Sequence, residues 1–181
     1  MARRIRAVER TGSVGSDEKP RRAIGSSKNQ EIVRKLLWDI TAINGHLDEM
    51  RHSWAQTLGI SGPQWTILTA LAALDRGQGV PVKDLVTMLH VQQPFVTTQT
   101  KMLENSGFVR RATSSDDGRI VLMSLSDKAR KQIANLSSRQ ELLDKFIFAD
   151  FNDRTLKEIA DQIASLKARL EKAALKLAAD I

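Results

Sequence analysis

A chain of 181 residues with 41% hydrophobic and 27% charged side chains is long enough for one ordinary domain with a real core. Its net charge of +7 and pI near 10.0 point to a polyanionic partner, either nucleic acid or an anionic membrane surface. The complete lack of cysteine excludes disulfides, thiolate metal sites, a cysteine nucleophile and a cysteine redox switch, and removes any reason to expect an oxidising compartment.

The charge is unevenly spread. Residues 1–28 carry Arg3, Arg4, Arg6, Arg10, Lys19, Arg21, Arg22 and Lys28 against Glu9, Asp17 and Glu18, so +5 of the +7 lies there. The stretch is rich in Gly and Ser and poor in large apolar residues, which predicts a flexible basic tail. It is either a solvated tail or an arm that follows phosphates or enters a minor groove. Its first ten residues lack the apolar run of a secretory signal, and no apolar patch in the chain is long enough to span a bilayer. The expectation is a cytoplasmic protein with no membrane partner.

The remainder, 29–181, reads as a single mainly α domain. A long helix is predicted over about 29–58, because Ile32, Leu36, Ile40, Ile43, Leu47, Met50 and Trp54 recur every three or four residues as one stripe. Such a helix must bury its stripe against other segments or another chain. Gly59 suits its end. Ser61, Pro63 and Gln64 then form a capping box with a first-turn proline, opening a helix to about Asp75 with Trp65, Leu68, Leu71, Ala72 and Leu74 as candidate core.

From Val80 to Leu125 the pattern is a short helix, a turn, a second helix and a β-hairpin. Val82, Leu85, Val86 and Leu89 give the short helix an apolar face. Pro94 opens the second helix, where its missing N–H costs nothing. Val96, Thr100 and Leu103 face inward, leaving Gln93, Thr97, Thr98, Lys101 and Asn105 outward. That outward set suits base edges and phosphates in a major groove, or is simply a solvated face. Strands are expected over Phe108–Ala112 and Arg119–Leu125. The Asp-Gly turn lies between them, and Asp117 is expected to restrain the Arg119 guanidinium for minor-groove entry. Arg111 is either a phosphate contact or a structural partner for a carboxylate.

Ser126 and Asp127 cap a further helix through Ile147. The last helix spaces Leu156, Ile159, Ile163, Leu166, Leu170, Ala173 and Leu177 alternately by three and four. That is an a/d seam, which predicts packing on a partner helix. With Ile32 and Leu36 these positions form the expected dimer interface. The terminal helices, about 29–58 and 127–178, flank a lobe of about 61–125.

The three histidines are scattered with no acidic or thiol ligand at helical spacing to two of them, so no metal site is expected. No P-loop, nucleophile elbow or dinucleotide fingerprint is present; neither a cofactor nor an enzymatic activity is expected. A possible ligand site gathers His46, Met50, Arg51, His52, Trp54 and Trp65, since an aromatic acid wants a cation for its carboxylate and apolar rings for its body. The alternative is that both tryptophans are core and both histidines surface polar residues.

Leu58-Gly59-Ile60-Ser61-Gly62-Pro63-Gln64-Trp65-Thr66-Ile67-Leu68 resembles the characteristic segment of the MarR (multiple antibiotic resistance regulator) transcription factors. Leu103 to Arg111 is similar to that family's helix end and first wing strand, Asp117-Gly118-Arg119 to its D-x-R wing tip, and Leu122 to Ala129 to its exit into the next helix. The resemblance runs in order over about Gln30 to Leu177. It implies a winged helix-turn-helix homodimer that binds a pseudo-palindromic operator in double-stranded DNA. It further implies a repressor released by a small aromatic acid or an acyl-CoA thioester. The DNA-contacting set it suggests is Gln92, Gln93, Pro94, Thr97, Thr98, Lys101, Arg111, Ser114, Asp117 and Arg119. Two positions depart from the family pattern: Gln92 replaces a common serine cap, and Thr98 replaces a common Arg. Competing functions are a winged-helix module for protein–protein assembly and an architectural DNA binder without sequence preference.

Overall fold

The computed structural model describes residues 27–179. The basic tail expected over residues 1–28 lies outside them, but for its last two residues. The chain divides into two compact units, Met1–Asp48 and Glu49–Ile181, and the first helix, α1 (Ser27–Leu58), runs across that boundary. Then follow α2 (Gly62–Leu74), β1 (Val80–Pro81), α3 (Val82–Leu89), α4 (Gln93–Asn105), β2 (Val109–Thr113), β3 (Val121–Leu125), α5 (Asp127–Ile147) and α6 (Asp153–Ala179). The result is a mainly α winged helix-turn-helix.

The local signals act as their chemistry dictates. α1 ends at Gly59, whose φ of 67° allows the Ile60 N–H to donate back to the Ala55 carbonyl at 3.1 Å. At Ser61 the box is closed on both sides. The Gln64 N–H donates to Ser61 Oγ at 3.4 Å and the Ser61 N–H to Gln64 Oε1 at 3.0 Å. α4 ends the same way as α1: Gly107 has φ 73°, and the Phe108 N–H reaches the Leu103 carbonyl at 2.8 Å.

The core of the second unit is continuous across the helix pair and the sheet. Ile67, Leu68 and Leu71 from α2, Leu85 from α3, Val96 and Leu103 from α4, and Met123 and Leu125 from β3 are buried together. Thr100 is also buried; its hydroxyl donates to the Val96 carbonyl at 2.9 Å and so costs little. A second cluster joins Trp54 and Ala55 of α1 to Trp65 of α2 and Leu136 of α5.

Three expectations are corrected. Ala72 is exposed, while Ile67 and Ala70 are buried instead; α2 is apolar almost all round, so no single stripe marks its inner face. The first strand is shifted by one residue and the second is shorter: Phe108 precedes β2, which ends at Thr113, and Arg119 and Ile120 stay in the loop. And Val80-Pro81 is itself an edge strand, making the sheet three-stranded in the order β1-β3-β2. Val80 pairs with Met123 and Pro81 with Leu122. Proline is tolerated there because an edge strand leaves one N–H side unpaired.

Candidate nucleic-acid interface

α3 and α4 form the helix-turn-helix. His90 closes α3 in the left-handed region, φ 52° and ψ 41°, a conformation histidine visits more readily than most residues. Gln92 takes the N-cap backbone conformation of α4, but its side chain makes no cap hydrogen bond. Pro94 stands in the first turn. With Val96, Thr100 and Leu103 buried, Gln93, Thr98, Lys101 and Asn105 are exposed and Thr97 is half-buried, so the polar face of α4 points away from the core. Thr98 Oγ1 donates to the Pro94 carbonyl at 2.9 Å. Its proton is thus used within the helix, and its lone pairs remain to accept.

The wing loop is built by its own short side chains. The Asp116 N–H donates to Ser114 Oγ at 3.2 Å, and the Ser114 N–H to the Ile120 carbonyl at 2.9 Å. Asp117 Oδ1 accepts from the Arg119 backbone N–H at 2.9 Å. This corrects the expectation that Asp117 restrains the guanidinium: a side chain two residues upstream reaches the backbone amide first, as in an Asx turn. Among the described residues the Arg119 guanidinium has no ion-pair partner.

Between the starts of α3 and α4 and the base of the wing lies an open cleft of about 500 Å³. Gln93 and Thr97 line it from α4, Lys83 and Asp84 from α3, and Arg111 and Arg119 from the wing. Four of the ten expected contact residues therefore meet at one place. Arg111 is mostly buried, with its Nη1 3.7 Å from Glu104 Oε2, and its Nε is buried without a partner. It faces a carboxylate and lines the cleft at once. Lys83 carries no motif signal and was legible only once α3 was placed beside the wing.

Of the six residues considered for a ligand, five lie in the second unit. His46 belongs to the first unit and is exposed. Trp54 and Trp65 are 8% and 3% exposed, as core. The His52 ring lies over Gly62, where a Cβ would meet it at 3.0 Å. Arg51 is half-buried. Met50 and Trp54 line a hollow of about 230 Å³ with Gln140, Leu143 and Asp144, below the volume that usually encloses a drug-sized ligand. The Arg139 guanidinium stands over the Trp54 ring at 5.8 Å.

The dimer candidates lie on exposed surfaces. Ile32 and Leu36 of α1 are exposed. α6 has no buried residue at all: Leu156 and Leu166 are half-buried, and Ile159, Ile163, Leu170 and Leu177 are exposed. Among the described residues no helix is long and apolar enough to cross a membrane.

Residues 60–121 match the model of the MarR family. The chain is 28% identical over 109 residues to YdgJ of Bacillus subtilis (strain 168), an uncharacterized HTH-type transcriptional regulator, covering 60% of this chain and 65% of that one. It is 28% identical over 122 residues to YwoH of the same organism, also described as an uncharacterized HTH-type transcriptional regulator, covering 67% of this chain and 86% of that one. It thus spans just under two thirds of the first relative and most of the second. The fold is similar to that of a MarR family transcriptional regulator from Listeria monocytogenes solved in complex with a 26mer DNA. The TM-score is 0.67 at 18% identity, covering 76% of this chain and 89% of that one.

Proposed function

We propose that this chain, whose residues 60–121 match the MarR family model, is a MarR-family DNA-binding transcriptional regulator, and more narrowly a homodimeric repressor that binds a pseudo-palindromic operator. One observation carries the reading. The polar face of α4 and the wing arginine Arg119, which has no ion-pair partner among the described residues, converge on one cleft with Gln93, Thr97 and Arg111. In this reading α4 enters the major groove and Arg119 the adjacent minor groove. Lys101 and Lys83 neutralise phosphates, and Thr98 accepts hydrogen bonds from exocyclic amines. Ser114 and Asp117 act by shaping the loop that carries Arg119, through their hydrogen bonds to Asp116 and Arg119 amides.

The second copy is the partner we assign to the α6 seam, whose apolar positions are exposed in one chain. The homodimer would set two reading units one helical turn apart. A small aromatic acid or an acyl-CoA thioester is the proposed effector. With only about 230 Å³ beside Trp54 in one chain, a full pocket would need a wall from the second copy. The test is selection of genomic fragments with the purified protein. Release titrations with aromatic acids and acyl-CoA thioesters follow on the enriched site. Enrichment of one palindrome with a steep negative slope of log affinity against log salt supports the reading. Flat salt dependence favours a protein-binding winged helix, and equal affinity for bulk DNA favours an architectural binder.

A further inference from the structure

The start of α5 is bonded to the segment that leads from α4 into the wing. Ser126 caps the helix by accepting from the Ala129 N–H at 3.1 Å, while its own hydroxyl donates to the Gly107 carbonyl at 2.7 Å. Its N–H donates to the Phe108 carbonyl at 2.9 Å. The Lys128 ammonium donates to the Ser106 carbonyl at 3.0 Å and stands 4.3 Å above the Phe108 ring. Two further residues of the first turn of α5, Asp127 and Arg130, sit three apart and so share a face. They carry opposite charges and reach toward opposite edges of the sheet.

Asp127 pairs with Arg110 on β2. Arg130 Nη2 donates to Asp75 Oδ2 at 3.1 Å, just ahead of the turn that leads to β1. In a sheet ordered β1-β3-β2, these are the two edges, and α5 itself continues from the central strand. The four side chains line one groove of about 350 Å³ along the outer face of the sheet, on the side that Arg110 and Ala112 share.

Asp75 is the firmer anchor. Its side chain is 2% exposed. Its Oδ1 accepts from the Gly77 N–H at 2.8 Å and the Gly79 N–H at 3.0 Å, while Oδ2 faces Arg130. Gly79, with φ 79°, is pressed so close to β3 that a Cβ would meet Leu122 Cβ at 3.1 Å. Asp75 therefore holds the turn that lays β1 on β3, and Arg130 holds Asp75 to α5. By comparison the Arg110–Asp127 pair is largely solvent-exposed and contributes less.

We infer that Asp75 and Arg130, assisted by Arg110 and Asp127, form an ionic clasp that sets the pitch of the wing on α5 and so positions Arg119 for DNA, a role that rests on the DNA-binding reading above. These are positioning residues; none needs to touch DNA. The clasp also makes α5 the element whose movement re-aims the wing.

Arg130→Ala breaks the clasp while leaving the turn bonds intact. Asp75→Asn does so more gently, keeping Oδ1 for the two glycine amides. In hydrogen–deuterium exchange both variants are expected to speed exchange across 75–81 and 109–125 and leave 93–105 unchanged. On the selected operator Arg130→Ala should bind about three- to fivefold more weakly, the upper scale of one partly screened ion pair. The deciding readout is a double-mutant cycle with Arg119→Ala. If Arg130 acts through Arg119, the double variant should be no weaker than Arg119→Ala by more than about twofold. Losses that multiply would overturn the positioning role, since Arg130 would then act independently. Unchanged exchange in both variants would overturn the clasp itself. Should the parent protein bind no DNA, the positioning role falls with the DNA reading, while the exchange result still decides the clasp.

Discussion

Ile163 stands in the middle of the α6 seam with 61% of its surface exposed, between Ile159 at 37% and Leu170 at 50%. Full burial of an Ile or Leu side chain stabilises by about 1.5–3 kcal/mol, so covering the open part of Ile163 would contribute roughly 1–2 kcal/mol. In a two-fold interface each change counts twice. Ile163→Glu should therefore weaken the dimer by roughly 2–4 kcal/mol, or about 30- to 1,000-fold in dissociation constant, before any added cost of burying a carboxylate. Asp161→Ala, an exposed position off the seam, is the matched control and should change nothing. The assay is sedimentation velocity over a wide concentration range, with circular dichroism to show that the helices persist. A dissociation constant within threefold of the parent would refute the assignment of the α6 seam to a second copy.

Removing the wing-tip cation should be selective for DNA. Arg119→Ala is expected to weaken operator binding at least tenfold in a gel-shift titration and leave the melting temperature unchanged, because the guanidinium has no ion-pair partner among the described residues; unchanged affinity would sink the wing contact. Ser61→Ala removes the cap of α2 and should cost about 1 kcal/mol in urea unfolding, with no cost pointing to a redundant cap. Asp75 should make stability fall in acid. Burial raises its pKa, but the Gly77 and Gly79 amides and Arg130 outweigh this and hold it below the usual carboxylate value. A carboxyl whose folded pKa is depressed contributes stability present above the unfolded value of 3.8 and lost as pH falls below it through the folded pKa. Asp75→Asn should flatten that part of the stability–pH curve, measured by denaturant titration between pH 5 and about pH 2; an unaltered curve would contradict it.

What was legible from residues alone was what is decided locally or by period. The Ser61–Gln64 box, the glycine ends at Gly59 and Gly107, the inward set Val96, Thr100 and Leu103, and the exposed seam of α6 all follow from neighbours within one or two helical turns. What was not legible depends on segments distant in the chain. β1 exists only because Met123 and Leu122 offer it a pairing edge, and two residues carry no period. Ile67 is buried because sheet and helices close around α2, which a stripe pattern cannot express for a helix apolar on nearly every side. Asp75, read as the end of a helix, turned out to anchor a turn through Gly77, Gly79 and Arg130. Of the DNA set, Gln93, Thr97, Arg111 and Arg119 meet at one cleft, but the partner of each arginine was set by tertiary contacts: Glu104 beside Arg111, and the Arg119 amide rather than its guanidinium on Asp117.

The most direct trial is selection of genomic fragments by the purified full-length protein, followed by titration of the enriched site across a range of salt concentrations. A homodimeric reading unit of this geometry predicts enrichment of a pseudo-palindrome with half-sites about one helical turn apart, and affinity that drops steeply with salt. Failure to enrich any palindrome, with equal binding to unrelated DNA or none, would contradict it.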